Sequence, residues 1–151
     1  MALILLNIDK DDLVACSELY VNTFHELPWN EEWNTEDIFE RLSDFLVCPN
    51  TVAIKFVHQG NISGFLLGEI QQWNGDKIYY LKEICVSQTI QRNGIDRSLM
   101  GELEEILKKY GVAKTYLTTQ RNSVPSKFYS SIGFSVNTSV LVMDKSPEKN
   151  G

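Results

Sequence analysis

Residues 84–100, ICVSQTIQRNGIDRSLM, decide the fold because they join a strand to a helix through a glycine-containing turn. The stretch begins inside the run KIYYLKEICV (77–86), which is apolar on both faces and predicts a central strand. Gly94 then opens GIDRSLMGELEEILKKYG (94–111), whose apolar side chains recur at helical spacing. The first N–H groups of a helix have no partner inside the helix, so such a turn can bind phosphate.

Taken alone, this turn permits two interpretations. In the first, Gly94 lets an anion approach the backbone, and Arg92 and Arg97 add positive charge. In the second, the turn is an ordinary helix start, with Asn93 as the cap and Asp96 complementing the helix dipole. The spacing matches neither of the common glycine-rich phosphate loops, so the turn does not decide between the two.

The pattern on both sides of this turn predicts an α/β fold built on one mixed sheet. Two helices are expected between a first strand and three antiparallel strands, and a strand, a short helix and a final strand follow the long helix. The predicted strands are LILLNI (3–8), TVAIKFVH (51–58), ISGFLLGEIQQW (62–73), KIYYLKEICV (77–86), AKTYLTT (113–119) and FSVNTSVLVMDK (134–145).

Composition and charge narrow the range of partners. The 151 residues carry a formal net charge of −6, and the pI is about 4.9. Both values disfavour binding to nucleic acid or to anionic membranes and suit a positively charged partner. Cys16, Cys48 and Cys85 are too widely spaced to predict a disulfide framework or a metal site. Without an export signal or an apolar run of about 18 residues, we expect a cytoplasmic protein that does not enter membranes.

Two motifs in a fixed order point to a known family. In the first, Gln91 and Gly94 match the spacing Gln/Arg-x-x-Gly-x-Gly/Ala. The second is RNSVPSKFYSSIGF, whose matching residues are Asn122, Phe128, Tyr129, Gly133 and Phe134. With a strand between them, these motifs resemble the GNAT superfamily of acyl-CoA-dependent N-acyltransferases. The resemblance implies a central mixed sheet of about six to seven strands flanked by about four helices. It also implies one domain, residues 1–145, followed by a flexible tail, 146–151.

The resemblance implies acetyl-CoA as cosubstrate and no metal. Its pantetheine arm is expected to pair like an added strand with residues 84–86, and its pyrophosphate to lie on the amides of residues 92–97. The expected cofactor-binding residues are Ile84, Cys85, Val86, Gln91, Arg92, Asn93, Gly94, Ile95, Asp96, Arg97, Asn122, Ser126 and Tyr129. Asp96 departs from the family, which has glycine or alanine there, and this departure bears on cofactor affinity.

Two residues are candidates for the proton transfers of amine acetylation. An amine of pKa near 10 must lose a proton before it attacks a thioester, and the departing thiolate gains one. Tyr129 matches the family's tyrosine acid, although a packed aromatic beside Phe128 is the alternative. Glu83 is the candidate base, acting through water, although a glutamate paired with Lys82 or with a cross-strand cation is the alternative.

The acceptor is expected to be a small, positively charged amine, such as a polyamine, an aminoglycoside-like amine or an amino-acid amine. Aromatic rings and carboxylates suit an ammonium group. The candidate residues are Trp29, Glu31, Glu32, Trp33 and Trp73. In the alternative, the loop ELPWNEEWN (26–34), which contains the first four of these residues, is solvated and its tryptophans hold it to the core. Two other functions stay open: a non-catalytic module that senses acyl-CoA or another ligand, and a protein-interaction domain. A homodimer also stays open.

Overall fold

A computed structural model describes residues 2–26, 29–87 and 94–147. The elements follow the predicted order up to the short helix. The strands are β1 (Ala2–Leu6), β2 (Thr51–His58), β3 (Asn61–Trp73), β4 (Asp76–Val86) and β5 (Val112–Tyr116). The helices are α1 (Leu13–His25), which follows a short 3-10 turn at Lys10–Asp12, α2 (Thr35–Leu46), α3 (Ile95–Lys109) and α4 (Val124–Ser131).

The five strands form one mixed sheet in the order β1-β2-β3-β4-β5. The first four run antiparallel to their neighbours, whereas β5 runs parallel to β4 after the crossover through α3. Two tight turns join the antiparallel strands, Gln59–Gly60 and Asn74–Gly75, and all four of these residues have positive φ. Such turns match the twist of hairpin strands, which is why Asn-Gly predicts a hairpin.

The helices cover opposite faces of the sheet. On one face, called here the α1/α2 face, Ala53, Phe65, Leu67 and Cys85 pack with buried residues of α1 and α2 into one core. The side chains next to these along each strand point to the other face, where α3 packs. A Cβ placed on Gly64 would lie 3.5 Å from Cδ1 of Leu99, which locates α3 on that side.

A β-bulge in β4 changes the register where the reacting groups are expected. Leu67 lies opposite Glu83 and Gly68 lies opposite Leu81, so Lys82 is the extra residue. Gly68 permits this close approach, because a Cβ there would lie 2.1 Å from the carbonyl oxygen of Tyr80. The bulge keeps Glu83 on the same face as Leu67, which is the α1/α2 face.

The strand count differs from the prediction. The described residues form five strands rather than six to seven, and the predicted last strand, 134–145, is irregular. Its apolar side chains are exposed: Val136, Val140, Leu141, Val142 and Met143. The alternation FSVNTSVLVMDK fits a half-buried strand, but a strand also needs a hydrogen-bonding partner, which local pattern does not supply.

The chain divides into two compact units, residues 1–118 and 119–151. The first contains the sheet with α1, α2 and α3, and the second contains α4 and the irregular segment after it. The predicted domain boundary at residue 145 lies inside the second unit, and most of the predicted tail lies outside the described residues. None of the helices in the described ranges combines the length and apolarity needed to cross a membrane.

Candidate active site

Strands β4 and β5 run side by side over only part of their length. Their pairing ends where Tyr80 meets Tyr116, although β4 continues to Val86. In the part of the chain that the structure describes, the β5 ladder does not extend to Ile84 or Cys85. Their backbone therefore lies on a strand edge of the kind to which an extended chain can add. The side chain of Cys85 is buried and burial raises its pKa, so it suits packing rather than nucleophilic attack.

The turn before α3 is open at its glycine. Gly94 has φ 74° and is the N-cap residue of α3, a position that the second interpretation of the turn gave to Asn93. The left-handed conformation favours glycine there, and a Cβ on Gly94 would meet no atom of the described residues within 4 Å. The first bond along the helix runs from Ser98 N to Gly94 O at 3.0 Å, so the amides of residues 95–97 precede the helical ladder.

This geometry fits an anionic group in front of α3. Ile95 and Asp96 are half-buried and Arg97 is exposed, all in the first turn. The Asp96 carboxylate therefore lies within the turn where a pyrophosphate is expected. The predicted cofactor residues Gln91, Arg92 and Asn93 lie outside the described residues.

Glu83 is held by an arginine from α2. Arg41 Nε donates to Glu83 Oε1 at 2.8 Å, and the Glu83 side chain is only 11% exposed. Burial raises the pKa of this carboxyl, while the hydrogen bond and charge of Arg41 lower it and Tyr20 also lowers it as a donor. Burial outweighs these two partners, so the pKa of Glu83 stays above its usual value. A carboxylate of this kind accepts a proton more readily than an exposed glutamate does.

The partner of Glu83 is thus neither Lys82 nor a cross-strand cation. Lys82 Nζ lies 3.6 Å from Glu69 Oε2 and 4.8 Å from the centre of the Phe45 ring. Arg41 contacts the same ring, with its guanidinium carbon 4.7 Å from the ring centre. The Phe45 ring therefore contacts both cations. Arg41 pairs with Glu83, and Lys82 pairs with Glu69.

The loop between α1 and α2 is attached to α1 by aromatic contacts. Trp33 meets Tyr20 edge-on at 5.9 Å, and Trp29 meets Phe24 edge-on at 5.5 Å. Trp33 also packs against the core, which agrees with the interpretation that the tryptophans hold the loop in place. The indole Nε1 of Trp29 is buried and has no hydrogen-bond partner among the described residues.

The carboxylates of this loop, Glu31 and Glu32, are both exposed. Glu31 is close enough to Glu83 to raise its pKa by charge repulsion, which brings the loop and the candidate base into one electrostatic environment. Trp73 is 64% exposed and lies six residues along β3 from Leu67, the neighbour of Glu83. At the rise of a strand, that separation is about 20 Å.

The second unit contains the other family motif. Ser123 and Ser126 form a capping box at the start of α4, with Ser126 N donating to Ser123 Oγ at 3.2 Å and Ser123 N to Ser126 Oγ at 3.0 Å. The Ser126 hydroxyl thus serves the helix cap. Asn122, just before the cap, is exposed and has φ 56°.

Tyr129 is half-buried on α4 between two phenylalanines. Its ring lies 5.5 Å from that of Phe128 and 5.7 Å from that of Phe134. Its backbone carbonyl accepts hydrogen bonds from the N–H groups of Ile132 and Phe134, which close the turn after the helix. The aromatic part of the motif therefore packs within this unit.

Two residues of the Glu83 environment were not predicted from the sequence. Arg41 lies one helical turn after Ile38, whose side chain is fully buried. This spacing puts both residues on one side of α2, and it is the only sequence signal that Arg41 points toward the core. Tyr20 lies on α1 with the buried Leu13 and Cys16, and this spacing is typical of a packed aromatic residue rather than of a hydrogen-bond donor in a site. Burial, and then the nearby charge of Glu83, raise the pKa of its hydroxyl, which therefore stays protonated as a donor.

Comparison with known proteins bears on the family and the fold of the chain. A sequence model described as "Acetyltransferase (GNAT) family" matches residues 13–134. The chain is 27% identical over 133 residues to the ribosomal protein bS18-alanine N-acetyltransferase of Escherichia coli K12, covering 87% of this chain and 80% of that protein. The chain is also 17% identical to the solved ribosomal-protein-alanine N-acetyltransferase of Brucella melitensis, with a TM-score of 0.75, covering 96% of this chain and 100% of that one.

A second solved structure shares the fold. It is an aminoglycoside acetyltransferase from an uncultured soil metagenomic sample in complex with sisomicin, 16% identical, with a TM-score of 0.72 and 97% of each chain covered. The family match spans most of the chain and both predicted motifs, and the fold agrees with the structural neighbours. The chain belongs to the GNAT acetyltransferase family.

Proposed function

We propose that the protein transfers an acetyl group from acetyl-CoA to a primary amine of a small, positively charged acceptor by direct attack. One observation carries this proposal. A nearly buried carboxylate, Glu83, lies on a bulge of β4, just beyond the point where β5 ceases to pair with that strand. The arrangement offers a proton acceptor and a strand edge for an acyl-CoA arm on the same few residues.

The cofactor would lie along β4 and in front of α3. The backbone of Ile84, Cys85 and Val86 would pair with the pantetheine arm, and the amides after Gly94 would accept the pyrophosphate. The space at Gly94 favours this placement, because a Cβ built there would meet no atom of the described residues within 4 Å. By the family resemblance, Asn122 and Ser126 are further candidates for polar contacts with the cofactor, and the Ser126 hydroxyl also serves its helix cap.

The chemistry then requires several proton transfers. The ammonium group of the acceptor loses a proton to Glu83 through water, and the neutral nitrogen attacks the thioester carbonyl carbon. The C–N bond forms as the C–S bond breaks, and Tyr129 supplies a proton to the departing thiolate. The second proton that the new amide nitrogen loses passes through water and restores the Tyr129 hydroxyl. Arg41 would keep Glu83 ionised and oriented, since burial alone favours the protonated carboxyl.

The acceptor class rests on charge and on the relatives. The net charge of −6 and the exposed Glu31 and Glu32 favour a cation near the site. Trp29 and Trp33 are the aromatic candidates for cation–π contact. Trp73 lies about 20 Å along β3 from the neighbour of the candidate base, which is too distant for a small acceptor. One relative is named for the alanine of a ribosomal protein, and a structural neighbour was solved with sisomicin. Both names concern amines, so a peptide amine and an aminoglycoside-like amine are the first acceptors to test.

The departure from the family pattern at Asp96 motivates a second candidate function, a non-catalytic module that senses acyl-CoA. A carboxylate in the first turn of α3 would weaken the binding of a pyrophosphate that approaches it. The two functions differ in turnover rather than in cofactor binding. A sensor would bind acetyl-CoA and release no thiol when amines are added.

Amine-dependent thiol release from acetyl-CoA tests the proposal. Wild-type protein and Glu83→Gln are compared over a panel of amines, with Glu105→Gln as the matched control, because Glu105 is exposed on α3. We expect release by the wild type and by the control, and a loss of about 100-fold in Glu83→Gln, the scale of general-base catalysis. Equal rates for all three proteins would remove Glu83 from the mechanism.

A further inference from the structure

An aromatic pair lies where β4 and β5 separate. The rings of Tyr80 and Tyr116 stack with centroids 4.8 Å apart and planes 11° apart. They are the last facing pair of the parallel ladder, and Tyr80 lies opposite Glu69 on β3, two residues along from Leu67. The pair therefore lies on the α1/α2 face, the same face as Glu83. Tyr116 is 36% exposed, so this stack is not part of the core.

A row of hydrogen bonds fixes the position of the outer ring. Tyr116 Oη donates to Gln71 Oε1 at 2.8 Å, and Gln71 Nε2 donates to Glu69 Oε1 at 3.0 Å. Glu69 Oε2 lies 3.6 Å from Lys82 Nζ, a side chain only 9% exposed. These polar groups are engaged with one another, so what the surface offers a ligand is chiefly the aromatic ring of Tyr116.

From this geometry we infer that the surface formed by Tyr80, Tyr116, Gln71 and Glu69, the tyrosine platform, binds a second positive group of the acceptor. The inference rests on the proposed function and adds a specificity determinant to it. The face of a tyrosine ring attracts cations, and a preordered ring loses little entropy on binding. Lys82 and Glu69 pair with each other, so their charges largely offset and the attraction for a cation comes from the ring.

The distance along the strand sets the length of the acceptor. Three residues separate Tyr80 from Glu83, which corresponds to about 10 Å in an extended strand, and somewhat less across a bulge. The reacting amine at Glu83 and the second cation at the platform would thus lie about 10 Å apart. In an extended peptide, this distance separates the terminal amine from a side chain about three residues along. The amino groups of an aminoglycoside are a second source of two separated positive charges.

Calorimetric titration with matched ligands tests the platform without requiring turnover. The probes are the amides of Ala-Ala-Arg and Ala-Ala-citrulline, which differ in charge but little in shape, together with sisomicin. The variants are Tyr116→Leu, which removes the ring, and Tyr116→Phe, which keeps the ring and loses the bond to Gln71. Tyr110→Leu is the control, since Tyr110 is exposed at the end of α3, away from this face.

We expect the wild type to prefer arginine over citrulline. Tyr116→Leu should weaken binding of the arginine peptide, of sisomicin, or of both by about 3- to 10-fold, the range of a partly exposed cation–π contact. Citrulline binding should change little, and Tyr116→Phe and Tyr110→Leu should resemble the wild type. The ligand whose affinity falls identifies the source of the cation.

Three results would overturn the platform: no binding of either cationic probe to the wild type, equal affinities for arginine and citrulline, or equal losses in Tyr116→Leu and Tyr110→Leu. Its failure is distinct from failure of the proposed function. Binding that depends on Tyr116 without any thiol release would contradict acetyl transfer and leave the platform standing. Thiol release at the same rate in Tyr116→Leu and the wild type would support acetyl transfer and contradict the platform.

Discussion

Replacing Gly68 with alanine tests whether the bulge in β4 holds the site together. The new Cβ would lie 2.1 Å from the backbone oxygen of Tyr80, and 2.6 and 2.7 Å from Cζ and Oη of Tyr79. Side-chain rotation cannot relieve the contact with a backbone oxygen, so β4 must move away from β3. The shift also strains the 2.7 Å hydrogen bond from Tyr79 Oη to the carbonyl of Val52.

The expected loss of stability is large for one methyl group. Overpacking of a core costs about 1–3 kcal/mol, and a weakened buried hydrogen bond adds about 1 kcal/mol. We therefore expect Gly68→Ala to lower the free energy of unfolding by about 2–4 kcal/mol, a large share of the ~5–15 kcal/mol typical of a domain. Urea denaturation followed by circular dichroism measures this difference.

Gly101→Ala is the matched control for this substitution. Gly101 lies inside α3, and a Cβ there would meet no atom within 4 Å. Alanine favours a helix over glycine by about 1 kcal/mol, so this variant should be more stable than the wild type. A Gly68→Ala protein with an unchanged urea midpoint would refute the close approach of β3 and β4, and with it the register that places Glu83.

Three further predictions concern the chemistry. Arg41→Leu removes a hydrogen bond and a charge that lower the pKa of Glu83, so the acid limb of the kcat/KM profile should move to higher pH; an unmoved limb would show that Arg41 does not act on the base. Tyr129→Phe should lower kcat by about 100-fold and leave the Kd for acetyl-CoA nearly intact, whereas unchanged turnover would remove Tyr129 from its role as acid. Asp96→Ala should tighten acetyl-CoA binding by about fivefold in calorimetric titration, and an unchanged Kd would mean that the carboxylate points away from the phosphates.

Much of the first unit could be predicted because its signals are local. The tight turns at Gln59–Gly60 and Asn74–Gly75 separate alternating runs, and Gly94 and the apolar stripe behind it mark the start of α3. These features depend on residues within a few positions of one another. The prediction of a last strand at 134–145 was wrong because a strand also depends on a distant partner. The apolar alternation there indicates a buried face but does not show which strand would pair with it.

The environment of Glu83 could be predicted only in part. Its position next to the predicted cofactor-pairing residues 84–86 follows from the run 77–86. The 2.8 Å pair with Arg41, in contrast, joins residues 42 positions apart. That pair depends on how α2 is rotated about its axis over the sheet. An apolar stripe about 100° wide fixes this rotation only approximately. Gly68 inside a strand was a usable signal for the bulge. The stack of Tyr80 on Tyr116 required the register of two parallel strands and had no local signal.

The most direct measurement of the central claim is mass spectrometry of amines incubated with the protein and acetyl-CoA. The account predicts that a positively charged primary amine gains one acetyl group on nitrogen while an equal amount of CoA thiol appears, and that Glu83→Gln abolishes most of both. Tight binding of acetyl-CoA with no acetylated amine in a panel of peptides, polyamines and aminoglycosides would contradict catalysis and support the sensing module instead.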